Sequence, residues 1–275
     1  MKIGLIGCGR AGLTIGYFLK KKNLLYGIFD KDKNALKKAV KILKIKKNPD
    51  YADLIKNSRV LLFATPDDEI INAYNKAKEY ITERKYLFHF SGLLPAEIFP
   101  KRRNIYRASI HPFATFPGVV MPSERDRYIL FAQGDKGSIK IARTIFPKKN
   151  FLIRKIKKEQ KSLYHLLGVF SSNFVVSLSE AIQIIIKRLG WKKKEFETTA
   201  LPMILDSLNN VVKYGVKTGL SGPVIRGDVK TIEKHLKILR SHPELYDTYR
   251  SLSHLIIRYA PRQSQKVLKK ILKIN

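Results

Sequence analysis

At 275 residues the chain is long enough for two domains that each bury a core. Its hydrophobic fraction of 44% and charged fraction of 28% are those of a globular protein. A net charge of +32 raises nucleic acid or an anionic membrane as a partner, but residues 1–150 carry 30 Lys/Arg against 13 Asp/Glu and residues 151–275 carry 24 against 9, so the surplus forms no tail or stripe.

The clusters Lys20–Lys22, Lys192–Lys194 and Lys269–Lys270 read as helix ends, where cations complement the helix dipole. We read the charge as a lysine-rich bias of the kind seen in thermophiles and expect no specific nucleic-acid partner. No apolar run approaches the roughly 18 residues that a bilayer span needs, so no membrane partner is expected. The first residues, Met1-Lys2-Ile3-Gly4-Leu5-Ile6-Gly7, read as a core strand entering a glycine turn rather than a signal peptide. A single cysteine, Cys8, has no internal disulfide partner, which fits a reducing compartment. A cytoplasmic location is the expectation.

In chain order, strand patterns fall at Lys2–Ile6, Leu24–Phe29, Arg59–Ala64, Tyr86–Phe90, Ile105–Ile110, Tyr128–Ala132 and Phe151–Ile153. Helical patterns such as Ala11–Lys22, Asp67–Ile81 and Ser138–Phe146 separate them, the alternation of a parallel sheet covered by helices. After about residue 155 strand patterns stop, and helical periods follow at Glu159–Leu189, Phe196–Gly215, Val229–Ser241 and Pro243–Lys273. The expected fold is an α/β Rossmann domain over residues 1–154 followed by an all-α substrate and dimerisation domain over 155–275. The helical half carries more apolar faces than one small neighbour covers, so a homodimer is expected.

Gly7-Cys8-Gly9-Arg10-Ala11-Gly12 is G-x-G-x-x-G between a strand and an amphipathic helix. Gly7 permits the tight turn, Gly9 the approach of a pyrophosphate, and Gly12 close packing of helix on strand; the helix N-terminus would face the phosphates. Asp30 ends the second strand, 18 residues after Gly12, where an acid takes ribose hydroxyls. A carboxylate there favours NAD, although Lys31 and Lys33 could instead hold the 2′-phosphate of NADP; the reading leans to NAD. Ala64-Thr65-Pro66 closes another strand on the cofactor's adenosine side, and Thr65 with Asp67-Asp68-Glu69 also suits a helix start.

His111 follows a Rossmann-domain strand, at the sheet's carboxyl edge where a nicotinamide would lie, and is the leading acid/base candidate. Arg226 could fork a substrate carboxylate. Asp228 reads either as a substrate contact or as a helix cap. The histidines form no metal-like group with carboxylates or Cys8, so no metal is expected.

Phe90-Ser91-Gly92, Ser109-Ile110-His111-Pro112, Tyr164-His165, Ser172-Asn173-Phe174 and Gly222-Pro223-Val224-Ile225-Arg226-Gly227-Asp228 occur in a recognisable order. In them the chain resembles the group that joins a Rossmann-like NAD(P)-binding domain to a helical C-terminal domain of unknown function. That group is similar in architecture to the 6-phosphogluconate dehydrogenase-like superfamily, with one noncanonical branch implicated in ketopantoate reduction. The resemblance implies a substrate-side histidine turn at His111, as in hydroxyacyl-CoA and prephenate dehydrogenases, and a substrate-touching serine at Ser91, with Gly92 beside it. It also implies a lysine-bearing helix at Lys161 and Asn173, as in ketopantoate and β-hydroxyacid reductases. Here, however, the residue four after the lysine is His165 rather than Asn, and Ser172 continues the same stripe. The implied activity is an NAD(P)H-dependent reductase of a small anionic 2-oxo acid, or dehydrogenase of the matching 2-hydroxy acid, with ketopantoate the first substrate to try. Alternatives are a prephenate-dehydrogenase-like enzyme, a pyrroline-carboxylate-reductase-like enzyme, or a dinucleotide-binding sensor without turnover.

Overall fold

A computed structural model describes residues 1–116 and 127–273. The described chain forms two compact units, Met1–Asn173 and Phe174–Asn275. The change from sheet to helix falls near residue 155, as the pattern suggests, but the compact units divide later because the next helix packs with the sheet.

The first unit is built on one seven-stranded sheet: β1 (Ile3–Ile6), β2 (Leu25–Phe29), β3 (Val60–Phe63), β4 (Lys85–His89), β5 (Ile105–Pro112), β6 (Tyr128–Gly134) and β7 (Phe151–Lys155). Their order across the sheet is β2-β1-β3-β4-β5-β6-β7. Strands β1 to β5 run parallel, β6 runs against β5, and β7 is parallel to β6. Its helices are α1 (Arg10–Lys21), α2 (Lys33–Ile42), α3 (Tyr51–Asn57), α4 (Ile70–Ala77), α5 (Lys136–Ile145) and α6 (Lys161–Ser171).

Strands β1 and β3 are apolar and buried at every position, as central strands covered on both faces must be. From β1 the chain goes outward to β2 and then crosses to β3 on the other side. The carboxyl ends of β1 and β3 therefore diverge, leaving the crevice in which doubly wound sheets bind ligands. The register row Ile6–Phe63–His89–Ser109 runs level across β1, β3, β4 and β5. At ~4.8 Å per strand, β1 and β5 lie ~14 Å apart along this edge.

In the second unit α7 (Asn173–Arg188, whose first residue closes the first unit) is followed by α8 (Leu201–Gly219), α9 (Pro223–Arg226), α10 (Val229–Leu239), α11 (Pro243–Ile257) and α12 (Arg262–Ile271). Helices α9 to α12 share a small core of Val224, Ile232, Leu236, Ile257, Ala260, Leu268 and Leu272. The helical run expected over 159–189 is broken at Ser172, where φ is −129° and ψ −70°. The run expected over 196–215 continues to Gly219 but is interrupted at Gly215 (φ 76°, ψ 167°).

One sequence expectation is corrected. By length and composition alone, the stretch Lys158–Arg188 is long and apolar enough to cross a membrane, and 6% of its most apolar window is buried.

Gly7 has φ of 99°, and a Cβ there would lie 2.6 Å from the Ala64 carbonyl carbon and oxygen. Gly7→Ala is therefore expected to cost about 2–4 kcal/mol, from left-handed strain plus a backbone clash. A urea unfolding midpoint unchanged from wild type would disprove this account of the β1–α1 turn.

Candidate active site

Two cavities of the first unit open along the carboxyl edge of its sheet. One, of about 330 Å³, lies at the β1–β3 crevice and is walled by the glycine loop, Asp30, Lys31, Thr65 and Glu69 among others. Gly12 is required by packing, since a Cβ there would sit 2.3 Å from the Gly7 carbonyl oxygen. Gly9 is different: a Cβ at that position meets nothing within 4 Å and would project into open space. Gly9 is also the N-cap of α1, and no side chain caps that helix, so its first-turn amides stay available to an anion. The Thr65 hydroxyl on the same wall is buried without a hydrogen-bond partner. It does not cap the turn that follows, because no side chain does. An unfilled glycine cradle, an uncapped helix and an orphan hydroxyl all fit a dinucleotide phosphate. Arg10 and Ala11 open that helix, and Arg10 is exposed.

Asp30 is held in place by two backbone amides. Oδ2 accepts from Cys8 N at 2.7 Å and Oδ1 from Asp32 N at 2.9 Å. Lys31 Nζ lies 2.8 Å from Glu69 Oε1, whereas Lys33 is not on the wall. The Cys8 thiol is buried, and burial followed by the Asp30 charge pushes it up to about 12, so it is inert as a nucleophile.

The second cavity, of about 270 Å³, is lined by His111, Phe113, Tyr164, His165, Ser172 and Asn173 among others. His111 Nδ1 lies 2.6 Å from the Tyr164 hydroxyl. The other edge of the ring faces Gly92, where a Cβ would lie 3.0 Å from Nε2 and 2.8 Å from His165 Cδ2. Gly92 thus lets both imidazoles approach the β4 loop. Burial lowers His111 to about 4, with Lys161 and His165 adding to the shift, so the ring is neutral at pH 7. Burial raises Tyr164 above the ordinary tyrosine range, which keeps its proton in place. Tyr164 is the residue the sequence reading passed over: it lies at i+3 from Lys161, on the very stripe that singled out His165.

Lys161 and Ser91 stand behind this wall rather than on it. Lys161 is 2% exposed. Its Nζ donates to Ser109 Oγ at 2.7 Å and to the Ser91 carbonyl at 3.2 Å, and burial lowers its pKa to about 8. Ser91 Oγ donates to Asp67 Oδ2 at 2.6 Å and accepts from Leu93 N and Leu94 N, which leaves it no capacity for a substrate. His89, fully buried, accepts from Ser91 N at Nδ1 and donates from Nε2 to the Pro95 carbonyl. Burial, then Lys161, holds it neutral, with a pKa of about 3.

Arg226 and Asp228 belong to the second unit. Asp228 Oδ1 accepts from Thr231 N and Oδ2 from Thr231 Oγ1, so it is the N-cap of α10, and Arg226 is exposed. Among the described residues of the second cavity's wall there is no lysine or arginine. Also among the described residues, no group of three His, Cys, Asp or Glu is arranged to hold a metal ion.

Residues 128–256 match a family described as a domain of unknown function, DUF2520. No curated protein matches the chain. The fold is similar to that of a Bacteroides fragilis protein provisionally assigned as an NADP oxidoreductase, at 19% identity and TM-score 0.76, over 94% of this chain and 98% of that one. Protein TM1727 from Thermotoga maritima is similar over the same shares, at 24% identity and TM-score 0.66. Plasmodium falciparum pyrroline carboxylate reductase, solved with NADP bound, is similar over 98% of both chains, at 16% identity and TM-score 0.59. At these identities the likeness establishes the Rossmann-type fold with a helical C-terminal region.

The two buried neutral imidazoles set a pH dependence of stability. His89 and His111 have folded pKa values of about 3 and about 4, both below the ordinary 6.5. The unfolded chain therefore binds more protons, and stability is fully present above pH 6.5 and is lost as pH falls through 6.5 toward 4. Between pH 7 and 5, where carboxylates barely titrate, urea unfolding should lose a few kcal/mol, at about 1.4 kcal/mol per pKa unit and imidazole. A flat profile across that window would contradict the burial of both rings as neutral groups.

Proposed function

We propose that the chain is an NAD(P)-dependent oxidoreductase that reduces the carbonyl of a small 2-oxo acid, with ketopantoate the first substrate to test. The observation that carries this reading is the neutral His111–Tyr164 pair facing a cavity on the same sheet edge as a glycine-loop crevice. Gly7, Gly9, Gly12, Asp30 and the Ala64-Thr65-Pro66 turn would hold the dinucleotide, which when bound supplies a hydride.

The residues' own part follows from the tautomers of His111. With Nδ1 accepting from the Tyr164 hydroxyl, Nε2 carries the proton and donates to the substrate oxygen, strengthening as that oxygen becomes an alkoxide. With Nδ1 donating to the phenol instead, Nε2 is an acceptor and serves the reverse reaction on a 2-hydroxy acid. His165, Ser172 and Asn173 would position the substrate. Lys161 and Ser91, which lie behind the wall, are assigned to holding the site together. Arg226, exposed in the second unit, remains the sequence's candidate for a substrate carboxylate.

We assign NAD as the preferred coenzyme, because the wall of the crevice carries three carboxylates (Asp30, Asp32, Glu69) against two lysines (Lys31, Lys76) in a chain of net charge +32. The working form is proposed to be a cytoplasmic homodimer. In support, α8 buries none of its 19 residues and α7 only Ile186, although both are rich in apolar side chains.

With NADH and a panel of 2-oxo acids, His111→Ala should lower kcat by about 10²–10⁴-fold and leave coenzyme affinity unchanged. Arg226→Ala should chiefly raise KM. Gly9→Val should abolish coenzyme binding at unchanged Tm, because its new side chain meets only open space. Wild-type turnover by His111→Ala would refute the catalytic assignment, and unaltered binding by Gly9→Val would refute the crevice as the dinucleotide site. Val212, 87% exposed on α8, tests the assembly: Val212→Glu should give a monomer by sedimentation, and a wild-type species already monomeric would end the dimer reading.

A further inference from the structure

We infer that Glu69 is a second coenzyme-selecting residue, which excludes a 2′-phosphate by occupying Lys31; this rests on the dinucleotide reading of the β1–β3 crevice. Lys31 follows Asp30 at the end of β2, and its side chain is 66% exposed, so it is the cation best placed to meet a phosphate on the adenosine ribose. Its ammonium is instead 2.8 Å from Glu69, which reaches across from the turn after β3. Each partner's titration agrees: Glu69 raises Lys31, and Lys31 lowers Glu69.

The other two wall carboxylates are committed to the backbone. Asp30 is held by Cys8 N and Asp32 N, and Asp32 caps α2 through Asn34 N and Ala35 N. Glu69 is thus the wall carboxylate whose partners are side chains: Lys31, with Asn72 and the more distant Lys76 beside it. A second, wider hollow shares Lys31, Tyr51, Glu69, Asn72 and Lys76 with the crevice, so the ion pair stands on the rim between the two. A phosphate arriving there meets a carboxylate and a lysine already neutralised. Without the Glu69 charge it would meet Lys31 and Lys76 free, and a charge-assisted contact becomes available. Because the pair is exposed, its loss should leave the fold intact.

The test is calorimetric affinity for NADH and NADPH, with Tm recorded for each variant. Wild type should bind NADH more tightly. Glu69→Gln should shift the NADPH-to-NADH affinity ratio toward NADPH by roughly 10-fold or more. Adding Lys31→Met to that variant should erase the shift, while Lys31→Met alone should leave the ratio near wild type. A wild type that binds neither coenzyme overturns the crevice reading and this inference with it. Wild-type binding of NADH with an unshifted ratio in Glu69→Gln overturns the inference alone. A shift that survives Lys31→Met, or a wild type that already prefers NADPH, does the same.

Discussion

The first unit's site depends on one buried ammonium group. Lys161 begins α6, and its Nζ bonds Ser109 Oγ on β5 and the Ser91 carbonyl beyond β4, while Ser109 Oγ itself donates to that carbonyl. A helix is thereby fixed to the carboxyl ends of two strands at a single point. One turn further on, Tyr164 and His165 are delivered to His111. No carboxylate lies within salt-bridge distance of this ammonium among the described residues; Asp67 and Glu97 act on it from farther off. Burial disfavours the charge there, and the two hydrogen bonds together with the more distant carboxylates offset it. At the opposite end of β4, Lys85 makes the same kind of knot, with Nζ donating to the carbonyls of Lys56 and Ser58. Two lysines of a lysine-rich chain are thus internal fasteners.

Much of the scaffold was legible because its signals are local. All seven strands lie within a few residues of the stretches that their apolar pattern marks, and the glycine motif sits on the β1–α1 turn. Helices α2 and α3 are not among those the pattern singles out. Helix α2 is short, with its apolar stripe of Leu36, Ala39 and Val40 set among lysines, and Asp32 caps its start. The candidate site was partly legible. His111 and His165 line one cavity, whereas the Ser91 hydroxyl and the Lys161 ammonium, read as chemical groups in the sequence, bond to other protein groups. What separates the two cases is long-range partnership: Ser91 is committed to Asp67, 24 residues away, and Lys161 to Ser109, 52 residues away. No spacing rule encodes either. In the sequence Tyr164 stands only within the Tyr164-His165 motif, with no role of its own, because its partner His111 lies 53 residues away.

The distribution of charge is also clearer in the structure than in the composition. Most of the surplus cations are exposed, where water and salt screen them within about 10 Å. The crevice reverses the sign locally, and its carboxylates are fixed by backbone amides and a lysine rather than left to move. Under the proposed dinucleotide reading, the basic surface would favour the approach of an anionic nucleotide, while the acids around the crevice would discriminate by the charge on its ribose.

The apolar faces of α7 and α8 call for a partner, and the choice between lipid and protein can be argued from α6. A bilayer pose for residues 158–188 would need a continuous apolar helix free to leave the protein. Yet Lys161 and Tyr164, in its first turns, are buried in the first unit, and Ser172 breaks the helix midway. Moving α6 away from the first unit would break both hydrogen bonds of Lys161. A long helix with no buried residue is not stable on propensity alone and must pack to persist. The proposed second copy of the chain would meet that need without disturbing the knot at Lys161, since it would ask only for the faces that α7 and α8 already leave exposed.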